Sequence, residues 1–202
     1  MPASAPDTIL ADVSRETRER LDTYAALLRK WQPTINLVGP RTLNDLWTRH
    51  FVDSAQLRPL IPAGACTLVD LGSGAGFPGL VLAILGVPEV HLVESDQRKA
   101  TFLREVARAT EAPVTVHAKR IEQVTPFPAD VVSARALAPL TDLLALASPF
   151  LAPSTVCLFP KGQQAGDELT EAAKTWKFQV DRIQSITEPG ATILRVSEVS
   201  RA

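Results

Sequence analysis

Cysteine is scarce: Cys66 and Cys157 are the only two in 202 residues, far apart and without companion ligands. That argues against a disulfide framework or a zinc site, and both thiols are expected as small core residues near strands. No apolar run approaches the roughly 20 residues that span a bilayer. The N-terminal stretch lacks the basic start and apolar stretch of a signal peptide, so a cytoplasmic location is expected. Net charge is missing too. A formal value of −1 gives no global attraction to nucleic acid, so any RNA-binding surface has to be a local patch. Internal repeats and linkers are also absent.

What is present suits one large domain. The chain is long enough for a substantial core and short for two, and 46% hydrophobic with 21% charged residues is an ordinary globular balance. We therefore expect a single domain over 1–202, with a helical extension over about 14–60 and an α/β core over about 66–202. The first dozen residues, where MPASAPDT has no apolar period, are the one stretch expected to lack a packed structure. In SRETRERLDTYAALLRKW, Leu21, Tyr24, Leu28 and Trp31 recur at helical spacing, with Ser14 a candidate cap. A second helix is expected after Thr42, with Leu43, Leu46, Trp47, His50 or Phe51, Ser54 and Leu57 along one side. Asn36 lies in the connection between them, bracketed by Pro33 and Pro40.

From Thr67 onward β-rich runs alternate with helical patterns, which predicts a mostly parallel sheet with helices on both faces. The last two runs, FQVDRIQSI and ATILRVSEV, follow each other without a helix. Such a hairpin puts one antiparallel strand into the parallel sheet.

The most informative stretch is Val69-Asp70-Leu71-Gly72-Ser73-Gly74-Ala75-Gly76-Phe77-Pro78-Gly79, between a strand and a helix. Glycines let the backbone turn tightly and approach a ligand without a Cβ in the way, and Pro78 suits a first helical turn. Glu94 ends the next strand, where a carboxylate can accept from both hydroxyls of a ribose. Two registers are available. Gly74, Gly76 and Gly79 satisfy G-x-G-x-x-G, the dinucleotide pattern, but that leaves Gly72 and Ser73 inside the strand and Asp70 without a role. Starting at Gly72, the stretch reads D-x-G-x-G-x-G, with Asp70 at the strand end to order the loop or meet a cationic ligand. This second form resembles motif I of class I methyltransferases, whose cofactor is S-adenosylmethionine.

Such a cofactor carries an activated methyl group, so the protein mainly aligns an acceptor. Where methylases of exocyclic base nitrogens carry N/D-P-P-Y/F, this chain has Ser133-Ala134-Arg135-Ala136. Neither cysteine follows a proline as a C5-pyrimidine nucleophile typically does. An acceptor that is already nucleophilic, such as a purine ring nitrogen, needs neither motif.

Asn36-Leu37, Arg49-His50-Phe51-Val52-Asp53-Ser54, the glycine turn with Phe77-Pro78-Gly79, Ser133-Ala134-Arg135-Ala136 and Lys161-Gly162 occur in that order. Together, over roughly residues 20 to 175, they resemble the RsmG (GidB) family of small-subunit ribosomal RNA methyltransferases. The resemblance implies a class I methyltransferase, Rossmann-like fold and methylation of N7 of guanine 527 in the 530 loop of 16S rRNA. It implies a cofactor site at Gly72, Phe77, Ile121-Glu122 and Arg135, to which the motif reading adds Asp70, Gly74 and Glu94. Arg135, His50 and Asp53 are the candidates for a catalytic part, and Asn36, Arg49 and Lys161 for RNA contact. The expected partner is 16S rRNA or the small ribosomal subunit, the protein itself being a monomer with no membrane or metal involved. Family members often place an arginine just before the final strand, where Gly190-Ala191 stands here.

Each residue also has a plainer reading. Glu122 suits a solvated helix start, His50 a hydrogen-bonded core residue, and Arg135 a surface ion pair. Lys161 could meet a phosphate, while Arg98, Lys99, Arg104 and Arg108 suit a solvated helix face. Two other functions remain open on the residues alone: a nicotinamide-dependent oxidoreductase, and a non-catalytic RNA-binding module on the same fold.

Overall fold

The structure, a computed structural model, describes residues 9–202; the expectation for residues 1–8 lies outside them. Of the rest of the first dozen, Ile9–Asp12 form a turn and Leu10 is buried in the core, so this part of the expectation is corrected. Helix α1 (Arg15–Trp31) is capped by Ser14, whose hydroxyl accepts from the Thr17 N–H. Its buried stripe of Leu21, Tyr24, Ala25 and Leu28 follows the apolar spacing of the sequence.

The second helix is not regular. Pro40–Asp45 is a 3-10 turn, Trp47–Val52 a π-helical turn, and only Asp53–Ala55 (α2) is α-helical. Leu46, Phe51 and Leu57 still reach the core, because the apolar pattern constrains which side is buried more tightly than it constrains the hydrogen-bond register. The wider π turn is a geometry frequent at functional sites.

Seven strands follow: β1 (Thr67–Leu71), β2 (Glu89–Val93), β3 (Val114–His117), β4 (Val131–Ala134), β5 (Val156–Lys161), β6 (Trp176–Gln184) and β7 (Thr192–Arg201). Their order is β3-β2-β1-β4-β5-β7-β6, and β7 alone runs antiparallel to its neighbours β5 and β6. The hairpin expectation is met. Between strands lie α3 (Gly79–Ile84), α4 (Gln97–Thr110), α5 (Leu140–Ala147) and α6 (Ala165–Ala172).

Alternation along the strands divides the core into two layers. Leu68, Val90, Leu92, Val131, Val156 and Leu158 pack with α1, α3 and α4, whereas Val69, Leu71, Val132, Cys157 and Phe159 pack with α5 and α6. Cys157 is buried as expected, and burial pushes its thiol up to about 12. Cys66 is exposed, a correction: it lies just before β1 begins, where the chain has not yet entered the sheet. No helix among the described residues is long and apolar enough to cross a membrane.

The fold positions a site through its topology. The chain runs outward from β1 through β2 to β3, then returns to lay β4 beside β1. In open α/β sheets the crevice at such a reversal, beyond the carboxyl ends of the strands, is where ligands bind.

Candidate active site

Strand β1 ends at Leu71, so Gly72 is the first residue of the turn rather than part of the strand. Gly72, Gly74 and Gly76 all have positive φ (64°, 57° and 99°), whereas Gly79 does not. The left-handed positions therefore fall on the register that begins at Gly72, where only glycine avoids strain. Gly79 is required for a different reason. A Cβ there would lie 2.6 Å from Leu92 Cδ2 and 2.7 Å from Asp70 Cβ, so it lets α3 close onto the sheet. Pro78 sits at the N-cap of α3, one step before the first turn in which it was expected.

Asp70 is fully buried beneath this turn. Its carboxylate accepts from Ser133 Oγ at 2.8 Å and from the Gly79 N–H at 3.3 Å. Burial pushes its pKa up to about 6, against the hydrogen bonds from Ser133, Ser73 and Gly79 and the charge of Arg135. Of the two roles considered for Asp70, ordering the loop is the one it occupies. Ser133 was missed as a partner, although Asp70 and Ser133 stand opposite each other in the parallel β1–β4 pairing. Glu94 secures the other side: Oε2 accepts from the Gly74 N–H at 2.8 Å and Oε1 from the Asp96 N–H at 2.7 Å. A carboxylate offers about four lone-pair sites, so both oxygens keep capacity for ribose hydroxyls.

A cleft of about 390 Å³ opens above the turn. Gly72, Gly74, Glu94, Ile121, Glu122 and Arg135 all line it. Asp70 and Phe77 do not. The Phe77 ring is buried below the turn, stacked on Tyr24 at 5.2 Å and tilted against His50 at 4.9 Å, so its side chain supports the loop from beneath. Tyr24 donates its hydroxyl to the Ala75 carbonyl, tying α1 to the same turn. The cleft is also lined by Lys99, Lys119, Arg120, Leu137 and Leu146, which sequence reasoning did not select as site residues. Apart from Lys99 on α4, they come from loops and from α5, brought together only by the sheet order.

Arg135 follows β4 and is the hub of the site. Its Nη1 donates to Asp53 Oδ2 at 3.1 Å and to the Arg49 carbonyl at 3.2 Å, and its Nη2 to His50 Nδ1 at 2.9 Å. The guanidinium carbon lies 5.2 Å from the Phe77 ring centroid. His50 and Asp53 do not bond each other directly; they meet through Arg135. Because arginine only donates, His50 Nδ1 accepts, and its Nε2–H donates to Thr42 Oγ1 at 2.8 Å. Burial, with Arg135 and Arg49 nearby, lowers the His50 pKa to about 4, so the ring is neutral at pH 7. Asp53 Oδ1 accepts from Thr187 at 2.6 Å and Gln56 at 2.8 Å, which pins the β6–β7 turn to the start of α2, directly after the π-helical turn. The plainer reading of Arg135 as a surface ion pair is therefore not met: its partner Asp53 and its own side chain are mostly buried, and two further acceptors hold it.

Two further cavities adjoin this hub. One of about 320 Å³ is lined by Thr42, Arg49, His50, Asp53 and Arg135, and Arg49 is paired there with Glu188 at 3.1 Å. The other, of about 460 Å³, lies past the ends of β4 and β5 and includes Lys161 and Glu168. Arg135, Ala136 and Leu137 line both it and the 390 Å³ cleft. Ala136 has φ 53°, an uncommon conformation for a residue with a Cβ. Leu137, the one large hydrophobic side chain left exposed among the described residues, stands on the shared wall. Lys161 is committed to Glu168 at 2.8 Å and to the Ala138 carbonyl at 2.7 Å rather than standing free for a phosphate. Asn36 lines none of the three; it accepts from Gln32 at 3.2 Å. Arg98, Arg104 and Arg108 lie exposed along α4.

With this geometry in place, comparison with known proteins is informative. The family profile described as rRNA small subunit methyltransferase G (GidB) matches residues 17–194. A protein of Rhodospirillum centenum named ribosomal RNA small subunit methyltransferase G is 64% identical over 188 residues, covering 93% of this chain and 87% of its own. One of the same name from Paramagnetospirillum magneticum is 63% identical, covering 97% of each. Among solved structures, a ribosomal protein L11 methylase from Lactobacillus delbrueckii subsp. bulgaricus superposes with TM-score 0.61 at 16% identity, over 74% of this chain and 78% of its own. A putative S-adenosylmethionine-dependent methyltransferase from Listeria monocytogenes does so at 0.54 and 14%, over 72% and 97%. These two show the fold, a class I methyltransferase α/β sheet. The match over nearly the whole chain shows the family: this chain belongs to the GidB family, rRNA small subunit methyltransferase G.

Proposed function

We propose that this chain transfers the methyl group of S-adenosylmethionine to N7 of guanine 527 in the 530 loop of 16S rRNA, in the cytoplasm. The observation that carries methyl transfer is the wall shared by two cavities, Arg135 to Leu137, with a glycine-floored cleft on one side and a second cavity on the other. The rRNA substrate follows from the family, and the position and atom from the resemblance of its motifs.

The residues present suit the cofactor. The left-handed backbone at Gly74 leaves room for close approach, since a Cβ there would meet nothing nearer than 3.9 Å, whereas at Gly72 a Cβ would lie 2.7 Å from Leu137 Cδ1, so that glycine lets Leu137 close onto the turn. Glu94 offers its carboxylate to the ribose, and Ile121, Leu137 and Leu146 offer apolar surface to the adenine, with Glu122 beside them. When bound, this cofactor supplies a methyl group on a positive sulfur, open to in-line attack. Everything else falls to the chain. Arg135, clamped by Asp53, His50 and the Arg49 carbonyl, holds the wall between donor and acceptor rigid. Asp53 and His50 place it and are not proton acceptors for substrate, since their polar atoms are already engaged. N7 of guanine has an in-plane lone pair and no hydrogen, so no general base is required. Incubation with labelled S-adenosylmethionine and unmodified 16S rRNA, followed by mapping, should place the label on guanine 527. Label at another nucleotide, or none, defeats this reading.

A further inference from the structure

We infer that Lys161 and Glu168 read the Watson–Crick edge of the target guanine in the cavity of about 460 Å³. The inference rests on the reading above, that the accepting atom is N7. In guanine, N7 and the N1–H/N2–H₂ groups lie on opposite edges of the ring system. With N7 turned to the wall of Arg135, Ala136 and Leu137, the Watson–Crick edge faces away from it. Lys161 at the end of β5 and Glu168 on α6 line this cavity and not the cofactor cleft.

Their valences are half used. Glu168 Oε2 accepts both from Lys161 Nζ and from the Leu140 N–H, each at 2.8 Å. Glu168 Oε1 has no partner among the described residues, yet no buried side-chain oxygen or nitrogen there goes unpaired, so Oε1 is accessible. Glu168 lines both this cavity and a neighbouring one of about 300 Å³ beside Leu140 and Glu171, with Oε1 assigned to the larger one. Lys161 Nζ donates to Ala138 O and Glu168, which leaves one of its three N–H bonds. The pair thus presents one anionic acceptor and one cationic donor, side chains only 22% and 10% exposed. Guanine offers the complement: N1–H and N2–H donors beside the O6 acceptor. Adenine, with a donor at N6 and an acceptor at N1, has the polarity reversed. The other carboxylates of the cavity are less suited. Asp53 is filled by Arg135, Gln56 and Thr187, and Glu188 is paired with Arg49 and half exposed.

The test compares kcat/KM for the parent and Glu168→Gln on transcripts with guanosine or inosine at the target position. Inosine keeps N7, O6 and N1–H but lacks the 2-amino group. The parent should prefer guanosine by about 10- to 100-fold, the worth of a hydrogen bond to a charged group. Glu168→Gln keeps the side chain's size and an oxygen for Leu140; it should lose a similar factor on guanosine, and its preference should fall towards one. If the pair only braces the loop before α5, the variant slows both substrates alike and keeps the parental ratio, which overturns the inference. A parent indifferent to the 2-amino group overturns it as well, whether or not the variant folds. Formation of 7-methylguanine with an unchanged ratio refutes this inference alone, whereas label on another atom refutes it together with the reading of function.

Discussion

Two glycines of the same glycine-rich stretch, Gly74 and Gly79, separate ligand binding from loop packing, and an alanine at each should fail differently. At Gly79 the new methyl would sit 2.6 Å from Leu92 Cδ2 and 2.7 Å from Asp70 Cβ, against a normal carbon–carbon separation of about 3.5–4.0 Å. Leu92 and Asp70 are fully buried, so the turn must lift by about 1 Å. Overpacking of this kind costs about 1–3 kcal/mol, or roughly 2–12 °C in Tm for a domain of this size. At Gly74 a methyl meets nothing closer than 3.9 Å, and the cost is the left-handed backbone at φ 57°, about 1–2 kcal/mol. Its methyl, however, intrudes on the loop that lines the cleft. Thermal unfolding with calorimetric titration of S-adenosylmethionine distinguishes the two. Gly79→Ala should be the less stable variant, and Gly74→Ala should lose at least about tenfold in affinity while staying folded. Parental stability in Gly79→Ala, or parental affinity in Gly74→Ala, refutes the reasoning.

Arg135→Ala leaves Asp53 Oδ2 and His50 Nδ1 without their donor, so it should lower stability by about 1–3 kcal/mol and abolish most single-turnover methyl transfer; undiminished transfer would remove Arg135 from the site. Tyr24→Phe leaves the buried Ala75 carbonyl unpaired, which should cost about 1–2 kcal/mol in urea unfolding; an unchanged midpoint contradicts the tie between α1 and the turn. Stability should also carry two pH dependences of opposite sign. His50, lowered to about 4 chiefly by burial, contributes fully above its unfolded value near 6.5, and the contribution is lost as pH falls through 4. Asp70, raised to about 6 chiefly by burial, contributes fully below its unfolded value of 3.8, and the contribution is lost as pH rises through 6. Urea midpoints between pH 4 and 7.5 should therefore show His50→Gln gaining on the parent as pH falls and Asp70→Asn gaining as it rises; parallel profiles refute both assignments.

The sequence was most legible where structure is local. Short β-rich runs and helical stripes located the strands and α1, and the glycine turn with Asp70 and Glu94 located the cleft, because each depends on neighbours within a few residues. What escaped was tertiary. The stretch from Pro40 to Ala55 carries a helical apolar pattern, yet a π turn there is what brings Arg49, His50 and Asp53 to Arg135, more than 80 positions away. Thr187, Gln56 and Glu168 are unremarkable in sequence and matter through partners on other elements. Phe77 stands in the motif, but its side chain points beneath the turn; order along the chain does not say which way a ring faces. Lys161 likewise reads as a free cation until α6 places Glu168 against it.

The central claim is that the methyl group goes to a guanine N7 aligned at the wall of Arg135 to Leu137 without a general base. It is tested most directly by giving the enzyme 16S rRNA with 7-deazaguanine at position 527, beside the unmodified transcript. Both RNAs should bind and only the unmodified one should accept label, its product then cleaving at that nucleotide after borohydride and aniline. Methylation of the deaza RNA at the normal rate, or a product that resists this cleavage, would contradict it.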